Sequence, residues 1–138
     1  MKVWWFCTRP VTQGVKCIVL HKHNVLLIKH TYGSSLRTTV GGGIHKDEKP
    51  KAAVIREVAE EVGLTLNNIQ KIGEVQHNGE FKKDTIHVFV AHTDDQKLTT
   101  DGAEIAEAQW YNQRAIPSDA SPLFKQFYSL AKPHLNQK

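Results

Sequence analysis

Cysteine is scarce in this 138-residue chain, and neither of its two copies sits in a recognisable framework. Cys7 and Cys17 form no C-x-x-C, no metal-knuckle spacing and no dense even-numbered pattern. Two buried or free thiols in a reducing cytosol are the expectation, with a single Cys7–Cys17 disulfide as the alternative. Long apolar runs are missing too. No segment approaches the roughly 18 residues of a membrane span, so no membrane partner is expected. The apolar run of Met1-Lys2-Val3-Trp4-Trp5-Phe6-Cys7 stops at Thr8-Arg9-Pro10 and is too short for a signal-peptide core. A first edge strand is the expectation there, and the cytoplasm is the expected location. No Lys/Arg block marks a nucleic-acid tail. The eight histidines show no H-E-x-x-H or other ligand spacing. Internal repeats, linkers and low-complexity segments are also missing, which points to one domain over residues 1–138.

The composition that remains is that of an ordinary soluble protein, 40% hydrophobic and 23% charged, with a net charge of +4 that suits an anionic ligand. The runs Val15 to His21 and Val25 to His30 flank the turn-like His23-Asn24 and read as a hairpin. A Gly/Ser loop at 33–35, an extended run at 36–40 and the glycines Gly41-Gly42-Gly43 follow. Pro50 and Gly63 then bracket a helix over 50–62. A second hairpin is expected from Ile69–Gln76 and Thr85–His92 around the loop HNGEFKKD. Next come a polar loop at 94–104 and a short strand at 108–112. Ser121-Pro122 opens a last helix with Leu123, Phe124, Phe127, Leu130 and Ala131 inward, stopped by Pro133. Strands flanking two helices give a mixed α/β or α+β domain.

On the helical wheel Ala52, Ile55, Val58, Ala59 and Val62 fall on one side, and Glu57, Glu60 and Glu61 share an arc of about 100° on the other. The expectation is a helix that packs by its aliphatic face and shows its carboxylates. Glutamates at this spacing are most often a solvated face. Here, however, only Arg56 stands at a facing i±4 position to relieve their repulsion. A divalent cation would complete such a patch. Oxygen-only ligands favour Mg²⁺, with Mn²⁺ as a substitute. The glycines before the helix fit a loop whose backbone approaches phosphate, although they match neither the P-loop pattern nor G-x-G-x-x-G.

Gly42, five residues, Glu48, seven residues, and then Arg56-Glu57-Val58-Ala59-Glu60-Glu61-Val62-Gly63-Leu64 resembles a complete Nudix box, G-x5-E-x7-R-E-U-x-E-E-x-G-U with U aliphatic. A weaker resemblance covers nearly the whole chain, including EIAEAQWYNQRAIP, where many relatives have an acidic loop, an aromatic strand and a turn near proline. Two positions depart from the usual pattern. Val40 stands where many relatives have proline, and Lys49 where many have a Ser or Thr cap.

The resemblance implies an α/β/α sandwich with a mixed, partly antiparallel sheet, and Mg²⁺-dependent hydrolysis of a nucleoside diphosphate linked to another moiety. It implies Glu57, Glu60 and Glu61 as metal ligands, Arg56 and Glu48 as their braces, Gly41, Gly42 and Gly43 as the shapers of the loop, and Gly63 as a left-handed helix stop. The general base is expected from the box or from a later loop, with Glu104 leading and Glu80 behind it. Arg37, with Lys29 and His30, is a candidate for substrate phosphates, and Trp4, Trp5, Tyr32 and Trp110 are candidates for stacking on a base. The expected partner is a small nucleotide-derived diphosphate, with a capped RNA end the one nucleic-acid form in view and a homodimer the favoured assembly. A catalytically silent domain that senses a nucleotide or ADP-ribose is the alternative.

Overall fold

The computed structural model describes residues 13–33, 35–78, 83–100 and 102–135. The strand expected at the N-terminus, with Trp4, Trp5 and Cys7, and the base candidate Glu80 lie outside them. In chain order the elements are β1 (Gln13–His21), β2 (Asn24–His30), β3 (Val40–Gly43), α1 (Pro50–Val62), β4 (Asn67–Asn78), β5 (Lys83–His92), β6 (Ile105–Asn112) and α2 (Pro122–Ala131), which runs into a 3-10 turn at Lys132–His134.

Burial without a break from Cys17 to His21 makes β1 a central strand rather than one arm of a free-standing hairpin. It runs parallel to β5 from Gln13 to Leu20. Along its other edge its first half pairs antiparallel with β3, and only Leu20 and His21 pair with β2. The six-stranded mixed sheet has the order β4-β5-β1-β2-β6, with β3 attached to β1.

Period-two alternation sends side chains to opposite faces. Val15, Cys17 and Val19 join Val54, Val58 and Val62 of α1 in one apolar cluster. Ile18 and Leu20 join Phe124, Phe127 and Ala131 of α2 in the other. The result is helix, sheet, helix, in the expected three layers. Cys17 is a free, buried thiol, and burial alone pushes its pKa well above the ordinary range.

Three local expectations need correction. The glycines Gly41-Gly42-Gly43 are not a loop but belong to β3, paired with β1. A Cβ on Gly41 would lie 2.1 Å from the Val15 carbonyl oxygen, so only glycine permits this approach. Strand β6 begins at Ile105 rather than at 108, because pairing with β2 overrides the weak strand propensity of Ala106, Glu107 and Ala108. The third correction concerns the inward face of α1. Ala53, Val54, Glu57, Val58, Glu61 and Val62 are buried, while Ala52, Ile55 and Ala59 are exposed. The helix is rotated from its aliphatic wheel so that two carboxylates point inward.

Candidate active site

The first turn of α1 has no side-chain cap, since Lys49 occupies the N-cap in an extended conformation. Pro50 supplies the pre-set φ of the first helical position. At the other end Gly63 adopts φ 72° and its N–H donates to the Ala59 carbonyl. A β-carbon there would be strained by that φ and would meet Thr99 at 3.1 Å.

Between these ends Glu57 and Glu61, 3% and 4% exposed, lie beneath β3. The Glu57 carboxylate rests against the Cα of Gly42, where any Cβ would come within 2.4 Å of a carboxylate oxygen. The Gly41 N–H donates to Glu61 Oε1 at 3.2 Å. That amide is therefore turned to a box carboxylate, and the close approach of strand to helix explains the glycines better than a phosphate loop does.

Arg56 ties the group together. Its Nε and Nη2 donate to the two oxygens of Glu48 at 2.8 and 2.9 Å, a bidentate pair that fixes both planes. Its Nη1 reaches Glu57 at 3.1 Å and Glu60 at 3.2 Å, and its Nη2 also donates to the Gly43 carbonyl at 3.0 Å. Glu48 in turn accepts from the His45 N–H at 2.9 Å. The Arg56 hydrogen bond draws the Glu48 carboxyl down to about 2, against the opposing effect of its partial burial. The same contact, ahead of the charges of Glu57 and Glu48, pushes the Arg56 pKa upward. One guanidinium thus holds Glu48, Glu57 and Glu60, and a backbone amide holds Glu61.

Glu60, with its side chain 43% exposed, opens this set to solvent. Among the described residues no group of three or more His, Cys, Asp and Glu side chains is placed to hold a metal ion by itself. A hard cation such as Mg²⁺ needs only one or two carboxylates when waters and substrate phosphates complete its shell. One or two of the all-oxygen donors Glu57, Glu60 and Glu61 fit that case, whereas the three are not gathered around one point.

The remaining candidates are dispersed. Arg37 donates to Tyr111 Oη at 2.6 Å, Asp119 at 2.5 Å and Glu107 at 3.0 Å. Tyr111 packs in the α2 cluster, so the structure places Arg37 across the sheet from the box, with its guanidinium engaged. Glu104 stands just before β6, its carbonyl accepting the Thr31 N–H at 2.9 Å. Lys29 pairs with Glu107 across β2 and β6, and His30 lies against Tyr32, which is 57% exposed. Trp110 packs in the α1 cluster and donates to the Gln96 carbonyl at 2.8 Å, a structural tie to the preceding loop. Gly43, expected as a shaper of the loop, contributes through its carbonyl, which accepts from Arg56.

Residues 10–130 match the model of the NUDIX domain. Among curated proteins the chain is similar to the NAD-capped RNA hydrolase NudC of Escherichia coli, for example strain SMS-3-5, with 28% identity over 113 residues, 79% of this chain and 43% of that protein. The chain therefore spans less than half the length of these relatives. A MutT NUDIX hydrolase from Burkholderia pseudomallei has the same fold, with a TM-score of 0.78 at 18% identity, over 88% of this chain and 98% of that one. So does the NUDIX domain of Shewanella oneidensis NrtR, crystallised with ADP ribose, at TM-score 0.78 and 18% identity over 93% and 90% of the two chains.

Proposed function

The chain belongs to the Nudix family, and from that premise we propose that it is a Mg²⁺-dependent hydrolase of the pyrophosphate linkage in a nucleoside diphosphate joined to another moiety, acting in the cytoplasm. The observation that carries this reading is the Arg56 network, which orients Glu57 and Glu60 while Glu48 anchors Arg56 itself. A domain that only binds a nucleotide has no need of every carboxylate and its brace.

The carboxylates that hold the cation would come from Glu57, Glu60 and Glu61. The chemistry supplied by bound Mg²⁺, for which Mn²⁺ can substitute, is neutralisation of charge on the diphosphate and acidification of a water. The chain's own residues do the positioning. Glu57 and Glu61 are fixed by Arg56 and by the Gly41 amide, so their oxygens need little reorganisation. Glu60, the exposed member, is the one open to a cation arriving from solvent. A box glutamate or Glu104 takes the proton from the attacking water.

The test is product analysis by mass spectrometry with Mg²⁺ over ADP-ribose, NAD, nucleotide sugars, nucleoside triphosphates and NAD-capped RNA. The last is included because of the similarity to NudC proteins. Turnover is expected for part of this panel and should fall about 10²–10³-fold in Glu60→Gln. Tight binding without turnover across the panel would overturn the hydrolase reading in favour of a sensor.

A further inference from the structure

One cleft among the described residues lies away from the box. A concavity of about 1330 Å³ opens at the far end of the sheet, where the β1–β2 turn brings Lys22 and His23 towards Arg114, His92 and His134. From Lys16, which pairs with Gly41 above the box glutamates, to Lys22 is roughly 20 Å at about 3.3 Å per strand residue. Tyr128 and Val90, which also line the cleft, belong to the α2 cluster, whereas the box helix packs in the other. The two sites are separated along the sheet, and a triphosphate chain does not bridge them.

The charge of the wall is one-sided. The described residues lining it include two permanent cations and three histidines, and neither Asp nor Glu. Lys22 and Arg114 are exposed, and neither forms an ion pair among the described residues. This differs from Arg56 and Arg37, whose guanidinium groups are both taken up by carboxylates. Uncompensated cations on a concave surface focus positive potential.

The wall is also built rather than loose. The Gln113 N–H donates to the His23 carbonyl at 3.0 Å, which joins the two turns into one rim, and the Arg114 N–H donates to Asn112 Oδ1 at 2.9 Å within the second turn. Tyr128 Oη donates to Gln113 Oε1 at 2.7 Å, and Gln70 meets the His134 ring at 3.1 Å. Nδ1 of His92 is buried with no hydrogen-bond partner among the described residues.

We propose that this cleft is a second anion site, which takes a di- or triphosphate group, free or carried by a nucleotide, apart from the site of hydrolysis. It does not depend on the box being active. The experiment is calorimetric titration of the full chain with inorganic triphosphate and with ATP, in EDTA so that the box lacks a cation. Both ligands should bind. Similar affinities would assign the site to polyphosphate itself and tighter ATP binding to a nucleotide, each in support.

Lys22→Asn with Arg114→Gln should weaken binding about tenfold or more. Asn tolerates the φ of 55° at Lys22, so the turn is kept. Glu60→Gln should leave binding unchanged. Unaltered affinity in the double variant would overturn the proposal, as would equal weakening in the charge-matched surface pair Lys51→Asn with Lys125→Gln, or loss of binding in Glu60→Gln. Binding of a single-stranded RNA oligonucleotide without binding of triphosphate would replace the site with a nucleic-acid surface.

Discussion

The two helices cover opposite faces of one sheet and are built on different terms. Helix α2 is capped by Ser121, whose Oγ accepts the Phe124 N–H at 3.0 Å, and it buries Phe124, Phe127 and Ala131. Helix α1 has no capping side chain, and two of its six buried residues are glutamates. One helix is optimised to pack. The other accepts weaker packing and an open end in order to hold carboxylates at fixed positions. Stability and chemistry are therefore separable here by face, and substitutions in the two helices should have different signatures.

The largest effect is expected on the packing face. Phe127 is fully buried, and Phe127→Ala should cost about 3–5 kcal/mol of stability, from lost burial plus the cavity it leaves. Denaturant melts should show this, while turnover per folded molecule stays within about twofold. Arg56→Ala should instead affect both stability and turnover. Its loss leaves Glu57 buried without its guanidinium partner, at about 2–4 kcal/mol, and it lowers kcat by a factor on the order of 10–100 through misplaced carboxylates. An Arg56→Ala variant that melts early but turns over normally would break the comparison, because Arg56 would then be only a packing residue. So would a Phe127→Ala variant that folds fully but is inactive.

Much of this division can be read in the sequence, and the part that cannot has a physical cause. Ser121-Pro122 and the spacing of Phe124, Phe127 and Ala131 point to α2 because local propensity and burial agree there. Pro50 and Gly63 bound α1 correctly, since both act through their own φ. The orientation of α1 was not legible. Hydrophobic periodicity assumes that charges face water, and here Arg56 and the Gly41 amide make burial of Glu57 and Glu61 tolerable from outside the helix. The place of the glycines in a strand is hidden for a related reason. Their smallness serves a strand that lies against carboxylates, a tertiary fact that no local pattern encodes. The cationic cleft left no trace, because Lys22, His92, Arg114 and His134 come from separate parts of the chain and share no spacing.

A smaller effect should distinguish the faces by pH. The Glu48 carboxyl is lowered from its ordinary 4.5 to about 2 by Arg56. A group whose folded pKa is depressed contributes stability that is full above its unfolded value and is lost as pH falls through the folded one. The contribution of Glu48 should therefore be complete above about 4.5 and fade between 4.5 and about 2. Urea midpoints taken across this window should fall less steeply in Glu48→Gln than in the parent chain. Parallel profiles would mean that the Glu48–Arg56 pair does not couple to folding.

The finest test exchanges the caps. Ser121→Ala removes the oxygen that accepts the Phe124 N–H and should destabilise by about 1 kcal/mol. Lys49 already has φ −78° and ψ 150°, the extended geometry of an N-cap, but offers no acceptor. Lys49→Ser should therefore stabilise by about 0.5–1 kcal/mol without moving the backbone. If α1 is held chiefly by the Arg56 network and the contacts of its buried face, this gain should appear in the melting temperature and leave kcat unchanged. A rise in stability accompanied by a fall in kcat would give the open end a role of its own, because the carboxylates would then depend on slack in the first turn. Unchanged activity would instead identify the missing cap as stability that selection left unused on the face where position matters more.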